Sequence, residues 1–139
     1  MPIQPDNICF NKGAIVERAI RRVHAEFALN PELDNFSHID AMTLNLERAC
    51  QACIDLAMHI VSRDHLGIPQ SSADAFRFLN ESEVISKETY SQMVAMIGFR
   101  NIAVHEYQEL DMGVVRSIAT HDWKNMVEFV RRCGVTIKP

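Results

Sequence analysis

Glycine and proline are scarce in this chain, five of each in 139 residues. An all-β sandwich needs a turn signal about every 8–12 residues, so that class is excluded. A surplus of positive charge is missing as well: 14 lysines and arginines stand against 18 aspartates and glutamates, a net charge of -4. Bulk electrostatic binding of nucleic acid, the habit of basic domains, is therefore not expected, and any RNA contact has to be local. Long apolar runs are also lacking. The longest, Val94 to Phe99, falls far short of the ~18 residues a membrane span takes, so no membrane association is expected. The chain opens without a charged stretch, an apolar core and a cleavage site. Its four cysteines, Cys9, Cys50, Cys53 and Cys133, are accordingly expected as reduced thiols in a cytoplasmic protein. What is present is apolar material, 47% of the residues, enough for one core and one domain over residues 1–139. The expected class is all-α.

Apolar residues recur at helical spacing in five stretches. Ile8, Ile15, Val16, Ala19, Ile20, Val23 and Phe27 predict a helix from about Asn7 to Ala28, capped by Asp6 or Asn7 and stopped at Asn30-Pro31. Ser37-His38-Ile39-Asp40 resembles a capping signal for a second helix, with Leu44, Leu46, Cys50, Cys53, Leu56 or Ala57, and Ile60 on its apolar stripe. That helix runs to about His65 and is ended by Gly67 and Pro69. Ser71 or Ser72 opens a short third helix holding Phe76 and Leu79. Ser86 caps a fourth, whose buried side is marked by Tyr90, Met93, Val94, Ile97 and Val104 and whose end falls between His105 and Tyr107. The fifth runs from Asp111 to Gly134 through Val114, Val115, Ile118, Trp123, Met126, Phe129, Val130 and Cys133. An up-and-down bundle of about five helices follows.

Chemistry concentrates in Gly98-Phe99-Arg100-Asn101-Ile102-Ala103-Val104-His105-Glu106-Tyr107, at the end of the fourth helix. Asn101 and His105 are i, i+4 neighbours and share a face, whereas Arg100 and His105 are roughly 140° apart on an ideal helix. One straight helix cannot aim both at the same phosphate. Either the helix loosens before His105, or a second copy of the chain supplies the opposing residues across a twofold axis, which is the arrangement favoured here. Gly98 fits the second arrangement, since a glycine inside a helix often marks a close approach of another backbone. Histidine takes or gives a proton near neutrality, and arginine offers a permanently charged fork to phosphate oxygens as charge builds. Together they suit RNA cleavage by the RNA's own 2′-hydroxyl, with no metal and no cofactor. The bland alternative is a helix end whose Arg and His only pair with carboxylates or cap carbonyls.

The segment resembles the R-x4-H-x-Y signature of HepT-type toxins, members of the HEPN superfamily of helical ribonucleases: Arg100, four residues, His105, Glu106, Tyr107. The likeness extends to the run from Leu44 to Ala57 and to the Leu66-Gly67-Ile68-Pro69-Gln70-Ser71-Ser72 turn, covering most of residues 40 to 112. This resemblance implies a HEPN-like homodimer that cuts RNA without metal, the toxin half of a toxin-antitoxin pair. It also implies an antitoxin, MntA, a minimal nucleotidyltransferase that silences the toxin by transferring AMP from ATP to the motif tyrosine. On this basis Arg100 and His105 are the catalytic pair, Asn101 a supporting residue and Tyr107 the modified side chain. A phosphodiester two residues from His105 would block the anion site. The alternative is a non-catalytic helical subunit that binds a nucleotidyltransferase and presents its substrate.

Other signals are weaker. Arg18, Arg21 and Arg22 share a helix face and are candidates for tracking an RNA backbone, as are Arg131 and Arg132. Glu47 and Asp55 are candidates to reach the motif from the second helix. Cys50-x-x-Cys53 in mid-helix, with no second ligand pair nearby, reads as two small core residues, so no metal site is expected. His24, His38, His59, His65 and His121 show no ligand spacing and are expected at the surface or at helix caps.

Overall fold

The computed structural model describes residues 2–139, and every regular element among them is helical. Helix α1 (Asn7–Leu29) begins where the Asp6 side chain accepts a hydrogen bond from the Cys9 amide, and it stops at Asn30 before Pro31. Helix α2 (Phe36–Arg63) starts slightly earlier than its sequence suggests, because the cap is Asn35, whose side chain accepts from the Ser37 and His38 amides. Its end also differs from expectation. His65 already takes the left-handed conformation (φ 56°) ahead of Gly67, which itself has a positive φ (152°), and the Leu66 amide closes the turn on the Val61 carbonyl. Helix α3 (Ser72–Glu81) is capped by Ser71, and α4 (Lys87–His105) by Ser86.

After a 3-10 turn at Tyr107–Glu109, α5 (Met112–Ser117) runs through a π-helical segment (Ile118–Asp122) into α6 (Trp123–Arg132). The sequence predicts a plain helix here. Thr120 donates its hydroxyl to the Arg116 carbonyl, a bond that competes with the helical ladder, and the Ser117 hydroxyl donates to the Asp122 side chain across the segment. The wider turn lets Val115 stay buried before it and Ile118 and Ala119 within it, while Met126, Phe129 and Val130 face the core after it. No helix among the described residues is long and apolar enough to cross a membrane.

Polar clamps fix the directions. Asp6 at the start of α1 meets His59 near the end of α2, and Glu26 near the end of α1 meets His38 at the start of α2, so the two helices are antiparallel. The α4 terminus returns to the start of α2 through Tyr107 and Asp40. Helix α2 is the spine, with Met42, Leu46, Leu56 and Ile60 fully buried against Phe76 of α3, Met93 of α4 and Phe129 of α6. Phe76 and Phe129 meet edge to face at 5.1 Å.

Not every residue of the expected stripes is inside. Ile8, Leu44 and Val104 are exposed, and Cys9, Met96 and Phe99 are buried. Val94 and Ile97 are only half-buried. Gly98 does not mark a close approach within the chain, since a Cβ there would meet nothing within 4 Å. Gly13 does: a Cβ on it would lie 2.8 Å from Val135 of the C-terminal tail.

Candidate functional site

Helix α4 keeps its ladder to the end, with the Glu106 amide bonded to the Ile102 carbonyl at 2.8 Å. The helix therefore does not loosen before His105, and Arg100 and His105 stay on different faces, offset by about 7.5 Å along the axis. Arg100 is half-buried and donates from Nη1 to Asn101 Oδ1 at 3.3 Å. Asn101 and His105 are exposed on one face, as their spacing requires. Neither Arg100 nor His105 has a carboxylate partner within ion-pair range among the described residues.

Beyond Glu106 the 3-10 turn reverses the chain and folds Tyr107 onto α2, where its hydroxyl donates to Asp40 Oδ1. Asp40, Thr43, Glu47 and Cys50, spaced three, four and three residues apart, lie on one side of α2. Partial burial, then the Asp40 carboxylate, push the Tyr107 phenol above its ordinary pKa; Glu47 adds to this and the Thr43 hydroxyl opposes it. Thr43 Oγ1 is the one buried side-chain oxygen among the described residues without a hydrogen-bond partner. Arg100 and Glu47 both act on the Cys50 thiol from opposite directions, though burial dominates and pushes it up to about 12. Arg100, Glu47 and Tyr107 thus border one stretch of α2. Asp40 was missed by sequence reasoning, which spent it on a helix cap; its register with Thr43 and Glu47 was the available signal.

The other expected site residues fall elsewhere. Asp55 is held by Lys12 and Gln51 on the α1 side. Arg18, Arg21 and Arg22 do share a surface, a groove of about 560 Å³ between α1 and α2 that Asn45 and Arg48 also line. Arg21 is drawn to Glu17 and Arg22 to Glu26, whereas Arg18 and Arg48 have no carboxylate partner among the described residues. Arg131 and Arg132 do not project freely, because Glu128 binds both. Cys50 and Cys53 are buried and unpaired in the core.

His59 lies outside the α4 site in a second polar cluster with Asp6, Cys9 and Arg63. Three metal-capable donors meet there, from Asp6, Cys9 and His59. The Asp6 Oδ2 atom already takes His59 Nε2 at 2.7 Å and Arg63 Nη1 at 3.2 Å, so a guanidinium stands where a cation would sit. The Cys9 amide and then His59 hold the Asp6 carboxyl well below the usual carboxylate range. A depressed carboxylate stabilises the fold above its unfolded pKa of about 3.9 and loses that contribution as the pH falls toward the folded value. Asp6→Asn, which keeps the capping oxygen, is expected to be less stable than the parent in urea at pH 7, with the difference closing as the pH drops below about 4. A gap independent of pH would assign the loss to geometry, not charge.

Comparison with known proteins agrees with this architecture. Residues 16–133 match the family model described as ribonuclease HepT-like. The chain is 37% identical over 126 residues to the mRNA nuclease HepT of Shewanella oneidensis, covering 90% of this chain and 95% of that one. A shorter match, 33% over 66 residues, covers 48% of this chain and 45% of the tRNA nuclease HepT of Aphanizomenon flos-aquae. In three dimensions the fold superposes with a TM-score of 0.89 on a tri-AMPylated Shewanella oneidensis HEPN toxin in complex with MNT antitoxin, at 36% identity over 94% of this chain and 98% of the other.

Proposed function

Because the chain belongs to the family of HepT-like ribonucleases, we propose that it is a toxin that cleaves RNA at the end of α4 and is neutralised by AMP added to Tyr107 by a nucleotidyltransferase antitoxin. His105 serves as general acid or base, Arg100 holds the phosphate and stabilises transition-state charge, and Asn101 positions the group beside it. The observation that carries this is the availability of the pair: the Arg100 guanidinium hydrogen-bonds a neutral amide and no carboxylate among the described residues, and His105 is exposed with no carboxylate on it. A helix end that merely paired its charges would have spent both.

A homodimer brings the two faces together. On α4 the exposed residues Ser91, Ala95, Gly98, Ile102 and His105 recur at spacings of four and three, a narrow stripe with small residues in its first half. Gly98 is open, and Ile102, Val104 and Leu44 present apolar surface nearby, which favours a second copy over solvent. The polar α4 end of one copy then faces that of its partner across the twofold axis. Single-stranded RNA reaches this cleft with the Arg18, Arg21 and Arg22 groove as a further backbone contact, where Arg48 adds a fourth cation. The whole chain, residues 1–139, works as one domain in the cytoplasm.

The chemistry uses the RNA's own 2′-hydroxyl and the side chains named, with no metal and no cofactor. Excess EDTA is therefore expected to leave cleavage of a fluorogenic RNA within about twofold of the untreated rate, an effect of under ~0.5 kcal/mol on the barrier. Loss of activity restored by Mg²⁺ would make the reaction metal-assisted.

A further inference from the structure

Tyr107 and Asp40 are 67 residues apart in sequence, yet the 3-10 turn after α4 places the phenol directly on the Asp40 carboxylate, with the tyrosine hydroxyl as donor. Asp40 is exposed and has no arginine or lysine partner among the described residues, so its charge is not spent on an ion pair. The phenol is a poor nucleophile as it stands, because partial burial and the neighbouring acids disfavour its ionised form. A nucleophile in that condition needs a base within hydrogen-bond reach.

We propose that Asp40 is the base that activates Tyr107 for its own modification, so that the toxin carries part of the machinery that silences it. The Asp40 carboxylate takes the phenolic proton as the Tyr107 oxygen forms a bond to the α-phosphorus of ATP held by the antitoxin. The bond from that phosphorus to the pyrophosphate oxygen breaks, and pyrophosphate leaves with the electron pair. The product is a tyrosyl phosphodiester of AMP, and Asp40 returns its proton to solvent. Glu47 stands on the same side of α2, but the hydroxyl donates to Asp40, which makes Asp40 the acceptor. Other charged groups around the phenol are Asp34, which lines the same apolar groove as Tyr107, His105 and Glu106 just before it in the chain, Glu109 in its turn, and Arg100 farther back on α4.

The inference rests on Tyr107 being the AMP acceptor, and the test separates the two. The full chain is incubated with its nucleotidyltransferase antitoxin and ATP labelled at the α-phosphate, and initial labelling rates are taken from pH 6 to pH 9 as the experimental range, roughly spanning the approach to the phenol's ordinary pKa of ~10. Asp40→Asn keeps an oxygen for the hydroxyl to donate to and removes the base. It is expected to lower the rate roughly 10²–10⁴-fold near neutrality, to leave the KM for ATP unchanged, and to recover about tenfold per pH unit as the phenol ionises unaided. Asp40→Glu is expected to regain much of the lost rate. Labelling of Asp40→Asn within about threefold of the parent (~0.65 kcal/mol), or a loss equal at every pH, would overturn the role of Asp40. No labelling of the parent chain, or undiminished labelling of Tyr107→Phe, would overturn the acceptor assignment and the proposal with it.

Discussion

His105→Ala and Arg100→Ala are each expected to remove RNA cleavage and growth inhibition while leaving the helical circular dichroism unchanged. Loss of a positioned acid or base lowers a rate roughly 10²–10⁴-fold, and loss of one donor to a developing anion roughly 10²–10³-fold. The effect on folding is far smaller. His105 is exposed, Arg100 is half-buried with a single bond to its neighbour's amide, and neither belongs to an ion-pair network. Substitutions of that kind usually change stability by less than about 0.5 kcal/mol. Inactivity accompanied by a normal melting curve therefore isolates the chemistry. Under the proposed shared action on one phosphate, the double variant is expected to fall little below the weaker single variant. Cleavage retained in either single variant would remove that residue from the catalytic pair.

Tyr107→Phe is expected to abolish AMP labelling and to leave the toxin active in cells that carry the antitoxin. The substitution deletes the acceptor oxygen and nothing else of the ring. Its structural consequence is the hydrogen bond to Asp40, worth about 1 kcal/mol against a typical stability of ~5–15 kcal/mol, so the fold survives. Intact mass after incubation with ATP and the antitoxin distinguishes the cases. The parent chain gains one or more AMP groups and the variant gains none. A variant that is still labelled would place the AMP on another hydroxyl, and a variant that is unlabelled yet still neutralised would show that binding of the antitoxin suffices.

Much of this was legible in the residues because the determinants are local. Asp6, Ser71, Ser86 and Asp111 cap the helices that follow them, as short polar side chains before apolar stripes should. The end of α4 between His105 and Tyr107 is likewise where the spacing puts it. What was not legible depends on neighbours distant in sequence. The π-helical segment coincides with hydroxyl bonds that a periodicity count does not weigh. Leu44 and Val104 belong by type to a core and by position to the surface, a placement that helical periodicity alone does not reveal. His59 and His38 were expected as bland surface or capping residues, yet each ties α1 to α2 through an acidic partner that sequence spacing does not reveal. Asp40 was hidden for a different reason. Its partner is Tyr107, and only the 3-10 turn brings them together.

Arg100 of one copy and His105 of its partner are proposed to work on the same phosphate, since an unbroken α4 holds the two side chains of one copy apart. Differently tagged Arg100→Ala and His105→Ala chains, co-expressed and purified through both tags, test it directly. The mixed dimer retains one complete site, the intact arginine of one chain facing the intact histidine of the other. RNA cleavage near half the rate of the parent dimer is expected, where each variant alone is expected to be inactive. A mixed dimer as inactive as its two parents would contradict it.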